Sequence, residues 1–257
     1  MRIAGNLLLT LVLIFLIGPF VIICIAGLSG GETLAFPPDG LSLRWVQRVF
    51  EVESFRSAFW LSIALAIGST LLALILGIPA AYALDRYNPP MAETIRNIVT
   101  APIIVPGIIV GLALLRHLVV PLGIPITLAL IIGHTALLVP YAVRVVSASL
   151  VNLRTDVEEA AVMLGASRLQ SFFKVVLPNI RSGILAAFII GFITSFNQVP
   201  ISLFLTGPGV TTLPIGMMFY MEFNYDPSVA ALSGLLAIMS LAIVMLAEKL
   251  LGLSRYV

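Results

Sequence analysis

Apolar residues gather along this chain into six long runs, near 5–28, 57–84, 98–118, 126–149, 183–205 and 228–251, with polar or turn-rich connections between them. About 20 mostly apolar residues, at about 1.5 Å rise each, are what an α-helix needs to cross the hydrocarbon of a bilayer. The roughly ten-residue alternating segments of a membrane barrel are absent, which leaves helices as the way to satisfy the backbone in lipid. The pattern predicts an all-α integral membrane protein with six transmembrane helices in a single domain, 1–257.

The connections differ in character. Residues 29–54 begin with Gly, Pro and turn residues and end with Leu43, Trp45, Val46, Val49 and Phe50 interleaved with Arg44 and Arg48, the mark of a short interfacial helix. Residues 206–227 hold Gly207-Pro208-Gly209, Pro214 and Pro227 without Lys or Arg, and predict an irregular, gate-like outer loop. The connection at 150–182 instead carries helix punctuation. Thr155-x-x-Glu158 and Ser167-x-x-Gln170 each have the spacing of a capping box. Gly165 falls where the first short helix must stop, and Leu177-Pro178 ends the second. A helix, a sharp turn and a helix are expected there.

Composition strengthens the membrane reading. The chain has 257 residues, 60% hydrophobic and 10% charged, with a mean hydropathy of +1.13, against roughly 25% charged for a soluble domain. Arg2 before an apolar run resembles a signal peptide, but Leu7 to Leu28 exceeds the apolar core of about 7–15 residues that such a signal has, so an uncleaved first helix is expected. Cys24 has no second cysteine to pair with, which excludes a disulfide framework and a thiol metal site. With the amino terminus inside, the inner side holds Arg2, Arg86, Arg96, Arg154, Arg168, Lys174, Arg181, Lys249 and Arg255, and the outer side Arg44, Arg48, Arg56 and Arg116. The inner excess places both termini in the cytoplasm. Glu32, Asp39, Glu51, Glu53, Glu222 and Asp226 then lie outside and give the outer loops a net charge of −2, compatible with cationic or neutral solutes.

A longer pattern overlaps the short caps. Glu159-Ala160-Ala161, then Gly165, then Val175-x-Leu177-Pro178 resembles the cytoplasmic coupling loop, the EAA loop, of permease subunits in ATP-binding-cassette (ABC) importers, with Val175 in place of Ile. Ser195-Phe196, Leu203-Phe204-Leu205, Gly207-Pro208 and Thr212-Leu213-Pro214 are similar to the carboxy-terminal half of permeases in the spermidine/putrescine importer group. The resemblance implies the type I importer permease fold in the bacterial inner membrane, with 150–182 as the coupling loop. It places Glu158, Glu159, Ala160, Ala161, Gly165, Ala166, Ser167, Leu177 and Pro178 at or beside the helix that docks on the ATPase, with Glu159 pairing a basic group there. It further implies two ATPase copies, a second and paralogous permease, and a periplasmic or lipid-anchored solute-binding protein. No nucleic-acid partner is implied.

The chain carries no Gly-x-x-x-x-Gly-Lys-Ser/Thr, so ATP and Mg are expected on the partner ATPase and no cofactor or metal on this chain. Candidate pathway residues are the polar groups inside spans: Ser195, Asn197, Gln198 and Pro200 in the fifth run, and His134 and Tyr141, which share a face of the fourth. Pro200 is expected to kink its helix by leaving the Phe196 carbonyl free. The same groups also suit hydrogen bonding that holds the bundle together. Pro102 and Pro106 should bend the third span, and Arg144 is near enough to the inner end to snorkel. Many polyamine permeases carry acidic residues where this chain has Asn197-Gln198, which brings amino-acid derivatives, opines and phosphonates in beside polyamines as solutes. An ion-coupled secondary transporter acting alone is the alternative. It is disfavoured because no internal repeat is evident and Glu248, near the inner end, is the one acidic residue placed within a span.

Overall fold

The computed structural model describes residues 2–251; Arg255, counted above on the inner side, lies outside them. In chain order the helices are α1 Arg2–Gly27, α2 Arg44–Glu51, α3 Glu53–Arg86, α4 Ala92–Thr100, α5 Gly107–Leu114, α6 Val120–Leu122, α7 Ile126–Val151, α8 Thr155–Met163, α9 Arg168–Ser171, α10 Leu177–Asn179, α11 Arg181–Phe196, α12 Leu213–Phe223 and α13 Ser228–Leu251. Four of these, α1, α3, α7 and α13, are each long and apolar enough to cross a membrane, and there are up to six candidate spans if each of two bent pairs, Ala92–Ile103 with Gly107–Leu122 and Arg168–Asn179 with Arg181–Phe196, is one span.

Two expectations about the spans are corrected. The third run is not one helix: α4 continues through a 3-10 turn at Ala101–Ile103, breaks, and restarts as α5, the halves Ala92–Ile103 and Gly107–Leu122 meeting at 84°. Pro102 sits in the first turn of the 3-10 segment and Pro106 is the extended residue (φ −56°, ψ 125°) before α5, so the expected bend is a full break. The fifth run does not extend to 205 as a kinked helix. α11 ends at Phe196, four residues before Pro200, at the carbonyl that a helical Pro200 would strike. The chain resumes as a 3-10 turn at Ser202–Phe204. The stretch 206–227 is also not irregular throughout, because α12 occupies its middle with Pro214 in the first turn, where a missing N–H costs nothing. The short helix expected at the end of 29–54 forms as α2.

One compact unit takes in the chain up to Phe59 together with Leu213–Ile243. Its helices meet through small residues: a Cβ on Gly27 of α1 would lie 2.5 Å from the Ala231 nitrogen of α13, so only glycine permits that approach. Phe55 packs on Tyr220 with ring centroids 4.7 Å apart, and the Tyr220 hydroxyl donates to Asp226 at 2.8 Å. Asp226 also accepts from the Ser228 N–H at 2.9 Å, opening α13. Trp45 donates its indole N–H to the Gly31 carbonyl at 2.9 Å, under the Arg44 guanidinium.

The second unit takes in Trp60–Thr212 and the end of α13 from Val244. α7 is its centre, burying Leu130, His134, Leu138, Val143, Val146 and Leu150 at helical spacing. α3 and α11 approach it through small residues, Gly77 against Ala142 and Gly183 against Ser149, while Gly191 of α11 lies against Thr70 of α3. In a bilayer such close backbone packing takes over the cohesive role that burial from water plays elsewhere.

Candidate functional site

The loop at 150–182 is built much as its punctuation predicts, with one exception. α8 ends in a Schellman turn: Gly165 adopts φ +95°, its N–H reaches the Val162 carbonyl at 3.0 Å, and the Ala166 N–H reaches the Ala161 carbonyl at 3.1 Å. α9 opens in a reciprocal capping box, the Gln170 N–H donating to Ser167 Oγ at 3.1 Å and the Ser167 N–H to Gln170 Oε1 at 2.9 Å. Ahead of Pro178 the helix widens into a π turn over Phe172–Val176, closed by the Leu177 N–H on the Phe172 carbonyl. The widening absorbs the hydrogen bond that Pro178 cannot donate. Helical structure ends at Asn179, one residue past Leu177-Pro178.

The exception is Thr155-x-x-Glu158. Arg154, not Thr155, is the cap residue of α8, and no side chain caps that end. Glu158 turns inward. Its carboxylate lies 3.4 Å from Arg86 Nε in an ion pair whose side chains are 9% and 11% exposed, and it accepts a hydrogen bond from the Tyr82 hydroxyl. A buried guanidinium outcompetes a solvated backbone N–H for that carboxylate. Arg86 also donates to the Leu153 carbonyl at 2.8 Å and the Leu150 carbonyl at 3.3 Å, completing the carboxyl end of α7. Beside it, Asp85 pairs with Arg96 of α4 at 2.6 Å, and Arg96 reaches Ser147 of α7 at 3.3 Å.

The second helix of the hairpin rests on the same turn of α3. Phe172 packs on Tyr82 at 4.7 Å, Arg168 lies over the Tyr87 ring at 5.8 Å, and Ser171 Oγ donates to the Glu158 carbonyl at 3.4 Å. A cavity of about 400 Å³ lies between, lined by Arg86, Thr155, Glu158, Glu159, Val162, Met163 and Arg168. Outward, Glu159, Ala160 and Ser167 are exposed, Ala161 and Ala166 half-buried, and the turn itself bears Met163 and Leu164 at 88% and 89% exposure. Leu177 is half-buried and Pro178 exposed. Of the predicted coupling residues, Glu158 therefore faces inward, Glu159, Ala160, Ala161, Gly165, Ala166 and Ser167 flank the exposed apolar turn in sequence, and Leu177 and Pro178 lie at the far end of the second helical segment. Tyr82, Asp85, Arg86 and Arg96 were not singled out as site residues from the sequence, although Asp85-Arg86 in the last turn of an apolar span was a usable signal.

The six predicted pathway residues separate into two groups. His134 is fully buried on α7, its Nδ1 2.7 Å from Ser195 Oγ and its Nε2 3.1 Å from Ser202 Oγ. It bridges the end of α11 and the 3-10 turn beyond the break. Asn197 and Pro200 are exposed at the break and Gln198 and Tyr141 half-buried. Asn197 Nδ2 donates to the Ile193 carbonyl at 3.0 Å. Arg144 is exposed on α7.

Residues 73–252 match the family described as binding-protein-dependent transport system inner membrane component. The chain is 31% identical over 229 residues to the putrescine transport system permease protein PotI of Escherichia coli, covering 86% of this chain and 81% of the relative. It is 27% identical over 210 residues to the spermidine/putrescine transport system permease protein PotC of Haemophilus influenzae, covering 81% of each. Its fold matches a chain of a bacterial ABC transporter involved in the import of the acidic polysaccharide alginate, with a TM-score of 0.69 at 19% identity over 98% of this chain and 95% of that one. The MetNI methionine ABC transporter matches with a TM-score of 0.61 at 24% identity over 76% and 93%.

Proposed function

Given that this chain belongs to the binding-protein-dependent transport system inner membrane component family and is a permease subunit of an ABC importer, we propose that it forms half of a translocation pathway for a polyamine-like solute. A solute-binding protein delivers the solute, and 150–182 is the loop through which a separate ATPase drives import. The observation that carries this is the α8–α9 turn: Met163 and Leu164 stand almost fully exposed while Glu158, five residues before Met163, is locked to α3. An apolar knob on a fixed base is what a surface built to seat in another protein's groove requires. Glu159 stands beside it to meet a basic group.

In this reading the second half of the pathway is a paralogous permease and the ATPase is present in two copies, each holding ATP and Mg. Both termini are cytoplasmic, so the loop faces the ATPase. Hydrolysis takes place on the partner, because this chain lacks a phosphate-cradling loop. The named relatives support a putrescine- or spermidine-like solute. A second reading, an amino-acid derivative, opine or phosphonate, is favoured by the exposed amide of Asn197 and the exposed Arg144 cation, neither of which compensates an ammonium group.

The test is ATP hydrolysis by the co-expressed assembly in nanodiscs, with binding protein, against putrescine, spermidine and members of the other three classes. Putrescine or spermidine should stimulate hydrolysis in the wild type, and Gly165→Pro and Glu159→Lys should abolish the stimulation. Stimulation by an anionic or zwitterionic solute alone would replace the polyamine reading with the second one. Unchanged stimulation in both variants would reduce the loop to a cover over the bundle.

A further inference from the structure

We propose that Arg86, Glu158 and Tyr82 form a joint that makes the 150–182 hairpin, the last turn of α3 and the end of α7 move as one body; all three are positioning residues for energy coupling. The proposal rests on the reading of 150–182 as the coupling loop, and it assigns Glu158 and Glu159 opposite tasks.

Neighbouring residues on a helix point about 100° apart, so adjacent carboxylates can meet different surroundings. Here Glu159 is exposed, whereas the Glu158 side chain is 9% exposed against Arg86. A buried carboxylate that meets a guanidinium and a phenol inside its own chain has no face left for docking. Arg86 is the hub: on α3, it holds Glu158 of α8 through charge at Nε, and through Nη2 the Leu150 carbonyl at the end of α7 and the Leu153 carbonyl just beyond it.

Such a cluster has little compliance, because separating a buried pair strands a charge in a medium that solvates it poorly. Both helices of the hairpin are attached to the same turn, α8 by Glu158 and the following segment by Phe172 on Tyr82 and Ser171 on the Glu158 carbonyl. The Asp85–Arg96–Ser147 chain fastens α4 and α7 beside it. A push on the exposed Met163-Leu164 turn is therefore delivered to α3 and α7 without slack at the hairpin's base.

The test uses the complete assembly with the permease carrying spin labels at Leu169→Cys on the hairpin and Leu76→Cys on α3, both exposed in the wild type and neither part of the docking turn, in a Cys24→Ser background. The inter-label distance is measured without nucleotide and after trapping with ATP and vanadate. With the joint intact the distribution should be the same in both states. In Glu158→Gln it should shift or broaden on trapping, and Tyr82→Phe, which removes only a hydroxyl, should do so to a smaller degree and serves if Glu158→Gln does not assemble. Glu159→Gln should leave the distance invariant and shed ATPase subunits instead. A wild-type distance that changes on trapping, or variants that stay as invariant as the wild type, would overturn the joint. A wild-type assembly that retains no ATPase would overturn the coupling-loop reading itself, and is scored separately from the labelled variants by subunit stoichiometry.

Discussion

Gly165 and Gly111 are required for different reasons, and substitution separates them. At Gly165 a Cβ would meet nothing within 4 Å, so alanine there costs only the left-handed backbone, about 1–2 kcal/mol. At Gly111 a Cβ would lie 2.5 Å from the Ile201 carbonyl oxygen, with backbone atoms behind it, so α5 must separate from the chain beyond the break. Gly111→Ala should lower the thermal unfolding temperature of the detergent-purified protein more than Gly165→Ala does, and Gly165→Asn least of all. The reverse order would show that the close approach at Ile201 is not maintained. His134 supplies a second contrast. Ser195→Ala removes one interhelical hydrogen bond, about 0.6 kcal/mol in a membrane. His134→Ala leaves two hydroxyls without partners and a void, about 3 kcal/mol. Asn197→Ala removes an exposed side chain and should leave the unfolding temperature in place while changing the solute response. If all three variants unfold alike, the buried network contributes nothing.

At the scale of elements, the apolar runs were readable because composition dominates them: without the alternating strands of a barrel, helices are what satisfies a backbone in lipid. Their interruptions were readable only in part. Pro102 and Pro106 announce a bend, but whether a proline kinks a helix or ends it depends on what fills the gap. Here the backbone of Ile201 lies against Gly111, a contact between segments far apart in sequence. α12 was hidden by its flanking Gly207-Pro208-Gly209 turn, although Pro214 at its start is helix-compatible. The Thr155–Glu158 spacing was read as a local cap because nothing near it in the chain reveals Arg86, whereas the Ser167–Gln170 box has no competing buried cation and formed as expected. α1 makes the sharpest element-level prediction. It buries none of its span residues except toward its carboxyl end, where a Cβ on Gly234 would lie 3.5 Å from Cys24 Sγ. That spacing suits a disulfide after small adjustment. Gly234→Cys should therefore cross-link to Cys24 within one chain on mild oxidation, seen as a mobility shift that dithiothreitol reverses and Cys24→Ser abolishes. A chain that stays uncross-linked under conditions that oxidise a control pair would remove α1 from α13.

For the molecule as a whole, the coupling reading depends on topology, since a docking turn is useful only on the side where ATP is made available. The proposed arrangement follows from Lys and Arg, nine on the inner side against four on the outer. It puts the Met163-Leu164 turn inside and the end of α12, with Phe223 and Tyr225 at 83% and 79% exposure, outside. Single cysteines placed at Leu164 and at Tyr225 in a Cys24→Ser background test both ends of that statement independently. A membrane-impermeant maleimide added to intact spheroplasts should label Tyr225→Cys and spare Leu164→Cys, and inverted vesicles should give the opposite pattern. Co-expression of the ATPase should then protect Leu164→Cys in inverted vesicles, because the docked turn is covered, while Tyr225→Cys is unaffected. Labelling of Leu164→Cys in intact spheroplasts would invert the topology and place the hairpin where no ATPase can reach it. Correct sidedness without protection would keep the topology and remove Leu164 from the docking surface.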